Sequence, residues 1–159
     1  MTILRAFLLC LSLLTLSFSA LAASAKNVDK VLDALHKAAE QARFNDYFAY
    51  YASDAIFIGT DASETWTLEQ FKRYAKPVFE SGDGWTYHPQ TRHIYFSKDG
   101  NIAWFDERLK HASYGVTRGT GVLQKHDGKW KIQQYHLAIP IPNALAKQIT
   151  QAIKQHETQ

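Results

Sequence analysis

From Trp85 to Ile139 the chain alternates large apolar side chains with polar ones. Only short turn-forming groups interrupt it: Lys98-Asp99-Gly100-Asn101, His111 to Tyr114, and His126-Asp127-Gly128-Lys129. A period of two places successive side chains on opposite faces, so such a stretch folds as strands with one face turned to a core. Asp127-Gly128 supplies the positive φ of a tight hairpin, and Pro89 marks a bend. The pattern predicts a four-stranded antiparallel meander over residues 85–97, 102–110, 115–124 and 130–139, with the rigid exit Ile139-Pro140-Ile141-Pro142-Asn143. Gly119 and Gly121 leave one face of the third strand bare at two successive positions, so the sheet bends there or another group approaches closely.

The residues before the meander supply its cover. Val28, Val31, Leu32, Leu35, Ala39 and Ala42 recur at three- and four-residue spacing behind Asn27, which predicts an amphipathic helix. A shorter helix follows, with Phe44 and Phe48 on one face and Tyr47 and Tyr51 on another. Ala55-Ile56-Phe57-Ile58 reads as a short strand, ended by the turn group Gly59 to Glu64. Thr67 and Gln70 have capping-box spacing ahead of a third helix that carries Phe71, Tyr74, Ala75, Val78 and Phe79, and Pro77 is expected to distort or end it. Asn143 is expected to cap a last helix with Leu145, Ile149 and Ile153 on one side. Helices followed by a long antiparallel sheet indicate an α+β domain, with the helices on one sheet face.

The first 25 residues have a different character. Met1 to Arg5 is a basic start, Ala6 to Leu16 an apolar run, and Ser17 to Ala25 a small-residue stretch, the pattern of a secretory signal cut after Ala22 or Ala25. The apolar run is shorter than the ~20 residues of a bilayer span. These features predict a signal over 1–25, a domain over 26–159, a periplasmic or secreted location, and no membrane attachment after cleavage. Cys10, the only cysteine, falls inside the signal, which excludes disulfides and thiol chemistry from the mature protein. The formal charge of +3 falls to about +2 without Arg5, and basic residues are scattered among acidic ones, so nucleic acid is not an expected partner. No cofactor motif appears. The histidines form neither HxH nor HExxH, and His88 and His93 should point to opposite faces, so no metal site is expected.

One set of motifs occurs in a familiar order: two helices, Gly59-Thr60-Asp61, Glu64 and Trp66, then Ala103-Trp104-Phe105-Asp106-Glu107, Arg118-Gly119-Thr120-Gly121-Val122-Leu123, and Trp130-Lys131-Ile132 through Pro140-Ile141-Pro142-Asn143. This order resembles the SnoaL-like branch of the nuclear-transport-factor-two-like superfamily over nearly all of residues 26–159. The resemblance implies a cystatin-like roll, in which a cone-shaped curved antiparallel sheet wraps over N-terminal helices around a deep pocket, here with an extra C-terminal helix. It also implies homodimers formed through the outer sheet face. Relatives include cyclases, isomerases, dehydratases and transport adaptors, so function has to be argued from the site. No catalytic motif of theirs carries over residue by residue.

Alternation groups Trp104, Asp106 and Arg108 against Phe105, Glu107 and Leu109, and sets Arg118 and Thr120 against Gly119 and Gly121. On the last strand Ile132, Gln134 and His136 oppose Tyr135 and Leu137. One choice of face turns Asp106, Arg118 and His136 into a common cavity, where Arg118 would hold Asp106 ionised and His136 could move a proton. The opposite choice presents Glu107, and a single bulge exchanges the two. The same residues serve equally as a structural ion-pair network. His136 and Asp106 are therefore catalytic candidates without an assigned role. Thr60 and Trp66 stand at a strand end where a pocket rim would be, although Thr60 also suits a turn and Trp66 a helix staple. With four Trp, eight Tyr and nine Phe in the chain, Tyr47, Tyr50, Tyr51, Trp85, Trp104 and Tyr135 are candidates for a cavity wall, and equally for core. The expected ligand-binding set is Tyr51, Thr60, Trp66, Trp104, Asp106, Glu107, Arg118, Thr120, Gln134 and His136.

Three functions remain open at this point. The first is an exported pocket protein for a small, partly apolar molecule. The second is a cofactor-independent isomerase, cyclase or lyase working by pocket acid and base groups. The third is a protein-interaction module acting through the outer sheet face.

Overall fold

The computed structural model describes residues 24–158. The expected signal, with Cys10, lies outside the described residues except for Ser24 and Ala25, which open helix α1 at 24–40. Helix α2 (Phe44–Ala49) follows, then β1 (Tyr51–Ile58), β2 (Thr65–Thr67), α3 (Leu68–Glu80), β3 (His88–Phe96), β4 (Ile102–His111), β5 (Gly115–His126), β6 (Lys129–Ala138) and α4 (Asn143–Glu157). No helix among the described residues is long and apolar enough to cross a membrane.

The predicted meander is present as β3 to β6, and it belongs to a larger sheet of six strands in the order β2-β1-β6-β5-β4-β3. Strand β1 runs parallel to β6, pairing Phe57 with Tyr135, and β2 returns antiparallel on β1. The β5–β6 turn has positive φ at both Asp127 and Gly128, as a primed hairpin requires. The first meander strand begins at His88 rather than Trp85, because residues 85–87 leave the sheet to cap α1: the Trp85 N–H donates to the Ala39 carbonyl at 3.0 Å.

Helix α3 starts on the expected capping box, with the Gln70 N–H on Thr67 Oγ1 at 3.3 Å and the Thr67 N–H on Gln70 Oε1 at 2.8 Å. Pro77 does not end it. The helix continues to Glu80: Pro77 forfeits the bond to the Arg73 carbonyl, but both residues lie on the exposed side of the helix, where water can take up that carbonyl. Asn143 is not the cap of α4. Pro142 takes that position with extended ψ and no side-chain bond, which puts Asn143 in the first turn.

Helices α1 to α3 cover one sheet face, and the core lies between them. Val28, Leu32, Leu35 and Ala39 of α1 are buried with Phe48, Phe57, Phe71, Phe105, Leu123 and Ile132. Alternation on β4 is complete: Ala103, Phe105, Glu107 and Leu109 are buried, and the residues between them face outward. Helix α4 buries none of its side chains.

Candidate functional site

Between α1, α3 and the inner sheet face lies a cavity of about 230 Å³. Its inner wall is apolar and largely aromatic. Leu35 and Ala39 come from α1, Tyr47 from α2, Phe57 from β1, Phe71 from α3, Trp85 from the loop after α3, and Tyr135 and Leu137 from β6. Exposed or half-buried residues form the mouth: Thr60, Glu64, Trp66, Tyr74, Tyr87, His111 and Tyr114. Several rings share nearly one orientation. Phe71 stacks on Phe57 at 3.8 Å and 14°, on Trp85 at 5.8 Å and 6°, and on Trp66 at 5.9 Å and 13°, while Phe57 is within 4° of parallel to Tyr135. Strand pairing of Phe57 with Tyr135 fixes the last of these relations.

Two wall residues, His36 and Tyr135, are polar where they meet the floor, and both are held by Glu107. That carboxylate is 1% exposed and stands behind them. Glu107 Oε1 accepts from His36 Nε2 at 2.8 Å and from the Tyr135 hydroxyl at 2.7 Å. Its Oε2 accepts from Arg92 Nε at 2.8 Å and has Arg92 Nη2 at the same distance. Arg92 Nη1 reaches on to Asp33 at 2.8 Å and to Asp29, both on α1. Burial works against a charge on Glu107, but the hydrogen bond and charge of His36, the charge of Arg92 and the Tyr135 hydroxyl outweigh it. Its carboxyl is held below the usual glutamate value. Burial next to that carboxylate pushes the Tyr135 hydroxyl well up, so it stays a donor. Because an ionised carboxylate only accepts, the neutral form of the His36 imidazole carries its hydrogen on Nε2 and its lone pair on Nδ1. Tyr47 and Tyr51 share a buried hydroxyl contact of 3.0 Å, and burial raises both.

Gly119 makes the Tyr135–Glu107 bond possible. A Cβ there would fall on the Tyr135 hydroxyl and within 2.9 Å of Glu107 Oε1. Gly119→Ala is therefore expected to break that bond and cost about 1–3 kcal/mol, the usual range for overpacking, measured as a lowered urea midpoint at unchanged m-value. An unchanged midpoint would mean that the hydroxyl does not lie over the glycine.

The expected site residues separate into two groups. Thr60 and Trp66 line the mouth, Glu107 anchors the floor, and Tyr51 is buried in the core beside Tyr47. Trp104, Asp106, Arg118, Thr120, Gln134 and His136 lie on the outer face. There Asp106 pairs across the strands with Thr120 and His93, Thr120 pairs with His136, and the Asp106 carboxylate meets His93 at 3.2 Å. The trio Asp106, Arg118 and His136 thus does not face the cavity. A bulge is the reason on β6: Val122 pairs with Gln134 but Leu123 with Ile132, so Ile132 and Tyr135 both point inward and His136 is turned out.

His36 and Arg92 fall outside the expected set, although each carries a signal in the sequence. His36 stands four residues after Leu32 and directly after Leu35, within the apolar arc of α1. Arg92 shares the inward face of β3 with Ile94 and Phe96, and a buried arginine requires a carboxylate. No group of three or more His, Cys, Asp or Glu side chains suited to a metal ion occurs among the described residues.

A family model described as the SnoaL-like domain matches residues 28–142. No curated relative matches the chain by sequence. Among solved structures, a Streptomyces avermitilis protein described as a dehydratase of the NTF2-like family superposes with a TM-score of 0.63 at 12% identity, over 74% of this chain and 96% of that one. A Novosphingobium aromaticivorans protein described as a scytalone dehydratase gives 0.63 at 11% identity, over 76% and 86%. An NTF2-like protein of unknown function from Pseudomonas putida KT2440 gives 0.62 at 12%, over 77% and 89%. These likenesses establish the fold.

Proposed function

The chain belongs to the SnoaL-like domain family, and on that premise we propose that it binds a small, flat, partly apolar molecule in the aromatic cavity and exchanges a proton with it through His36. The observation that carries this reading is a histidine set in a wall of near-parallel rings with one nitrogen committed to a buried, ionised glutamate. A carboxylate behind an imidazole fixes its tautomer and orientation and leaves the far nitrogen to take a proton from a guest. The reaction class is then a cofactor-independent lyase or isomerase, in which the Tyr135 hydroxyl orients Glu107. Cavity size limits the guest. A dry cavity of about 150 Å³ admits benzene, so 230 Å³ suits a single substituted ring.

The solved likenesses described as dehydratases support this class without fixing a substrate. The basic, apolar and small-residue order of the first 25 residues supports export, which places the guest in the periplasm or outside the cell. Native mass spectrometry of protein purified gently from its host is expected to show a retained mass of about ten non-hydrogen atoms, the content of a cavity this size. His36→Gln is expected to keep that guest and lower its turnover roughly 10²–10⁴-fold, as for loss of a general base. Full turnover in the variant would sink the catalytic reading.

A second copy on the outer sheet face is the other reading with support, since Tyr95 and Trp104 stack there at 6.0 Å and are both exposed. Sedimentation at micromolar concentration measures it, and a monomer at every concentration rules it out.

A further inference from the structure

His111 closes β4 on the same inward face as Glu107 and Leu109, about 13 Å of strand from Glu107. Its ring is held by two independent sets of contacts. Nδ1 accepts the backbone N–H groups of Ser113 and Tyr114, both at 3.2 Å. Tyr87 packs against the ring at a centroid distance of 4.8 Å, and Tyr114 stacks on it at 4.7 Å and 21°. A ring nitrogen that accepts two N–H groups carries no hydrogen, so the imidazole hydrogen sits on Nε2. Nε2 has no hydrogen-bond partner among the described residues, and the ring lines the cavity mouth. Capping the turn needs only an acceptor. The imidazole adds a donor at its far edge, pinned in direction by the turn and the two tyrosines.

The two cavity histidines are therefore set in opposite senses. His36 gives its N–H to Glu107 and keeps a lone pair, whereas His111 gives its lone pair to the turn and keeps an N–H. We infer that His111 selects the guest, its Nε2–H donating to an oxygen, so that the cavity takes a single flat ring bearing a carbonyl, hydroxyl or ether oxygen at the end nearest the mouth. This assignment rests on the ring-binding reading of the cavity and adds to it the polar group a guest must carry and where it lies. A site built around a fixed donor discriminates against guests without an acceptor, because binding them strips water from the donor and returns nothing.

Acetophenone and ethylbenzene test the inference, being alike in ring and shape and differing in one oxygen. The wild-type protein is expected to bind acetophenone about five- to tenfold more tightly, the worth of one hydrogen bond, in a calorimetric titration. His111→Asn keeps an acceptor oxygen where Nδ1 was and removes the distal donor. It should bring the ratio close to one. His111→Gln places an amide N–H near the Nε2 position and should retain the preference. The imidazole ¹⁵N spectrum of the wild-type protein gives a reading that needs no variant: His111 Nε2 should shift with acetophenone and stay in place with ethylbenzene. Equal affinities in the wild type, a preference untouched by His111→Asn, or an Nε2 signal indifferent to acetophenone each overturn the inference and leave the ring-binding cavity standing. If neither compound binds, the cavity reading itself fails, and the role of His111 falls with it.

Discussion

Glu107→Leu is expected to destabilise the fold by about 3–5 kcal/mol, the cost of removing one partner from a buried ion pair. In a domain of this size that lowers the melting temperature by roughly 10–20 °C. The reason is what the substitution leaves behind. Arg92 is 7% exposed at its side chain, and it would keep only the Asp29 and Asp33 carboxylates, which are themselves half in solvent. His36 Nε2 and the Tyr135 hydroxyl would lose their acceptor altogether. Replacing the charge on both sides, with Glu107→Leu and Arg92→Met together, should recover more than half of the loss, since the unpaired guanidinium goes with the carboxylate. The double variant also separates fold from chemistry, because stability returns while His36 still lacks the group that orients it. Acid gives a third measurement. The Glu107 value is lowered in the folded chain, so its contribution is fully present above the ordinary glutamate value of 4.5 and is lost as pH falls through the depressed folded value. Glu107→Gln should remove that part of the acid slope. A single Glu107→Leu variant that melts within a few degrees of wild type would show that the carboxylate is not the anchor described.

Phe71→Ala should be comparably damaging for a different reason. Phe71 is 1% exposed and stacks with Phe57, Trp66 and Trp85, so truncation removes about 3–5 kcal/mol of transfer and packing energy. It lines the cavity as well, so the space vacated, on the order of 100 Å³, joins the existing volume rather than forming a separate void. The variant is expected to lose stability and gain guests. Naphthalene should stabilise it by about 2.7 kcal/mol at a hundred times the variant's Kd, and should stabilise the more crowded wild-type protein less at the same concentration. Differential scanning calorimetry with and without naphthalene reads both effects. A variant that loses stability without responding to naphthalene would mean that the helices close over the gap.

How much of this was legible in the residues depended on whether the information was local. The meander, the Thr67–Gln70 capping box and the Asp127-Gly128 turn all rest on contacts between near neighbours in the chain, and all are present. The parallel pairing of β1 with β6 is not local: it joins segments more than 70 residues apart, and nothing in Ala55 to Ile58 announces its partner. The site depended on which face of β4 turns inward, and both faces carry a large aromatic and a carboxylate, Trp104 with Asp106 and Phe105 with Glu107. Packing against helix α1 decided it, since only Glu107 meets His36 and Arg92, and Trp104 is left 45% exposed. On β6 the bulge after Ile132 reversed the parity that would have brought His136 inward. What could have been read is the intrusion of His36 and Arg92 into apolar faces, where a polar residue needs a buried partner.

Glu107 joins α1, β3 and β6 through one pair of oxygens, and the same pair gives the cavity floor its charge. A lineage that altered this floor would loosen three elements together, so inheritance is expected to hold it still while guests change. The mouth is different: His111 and Tyr114 stand at the β4–β5 turn and Tyr87 in the loop before β3, where a new ring or a new hydrogen-bonding edge disturbs only a turn or a loop. Descendants with different diets should accordingly differ around residues 87, 111 and 114 and agree at the clasp.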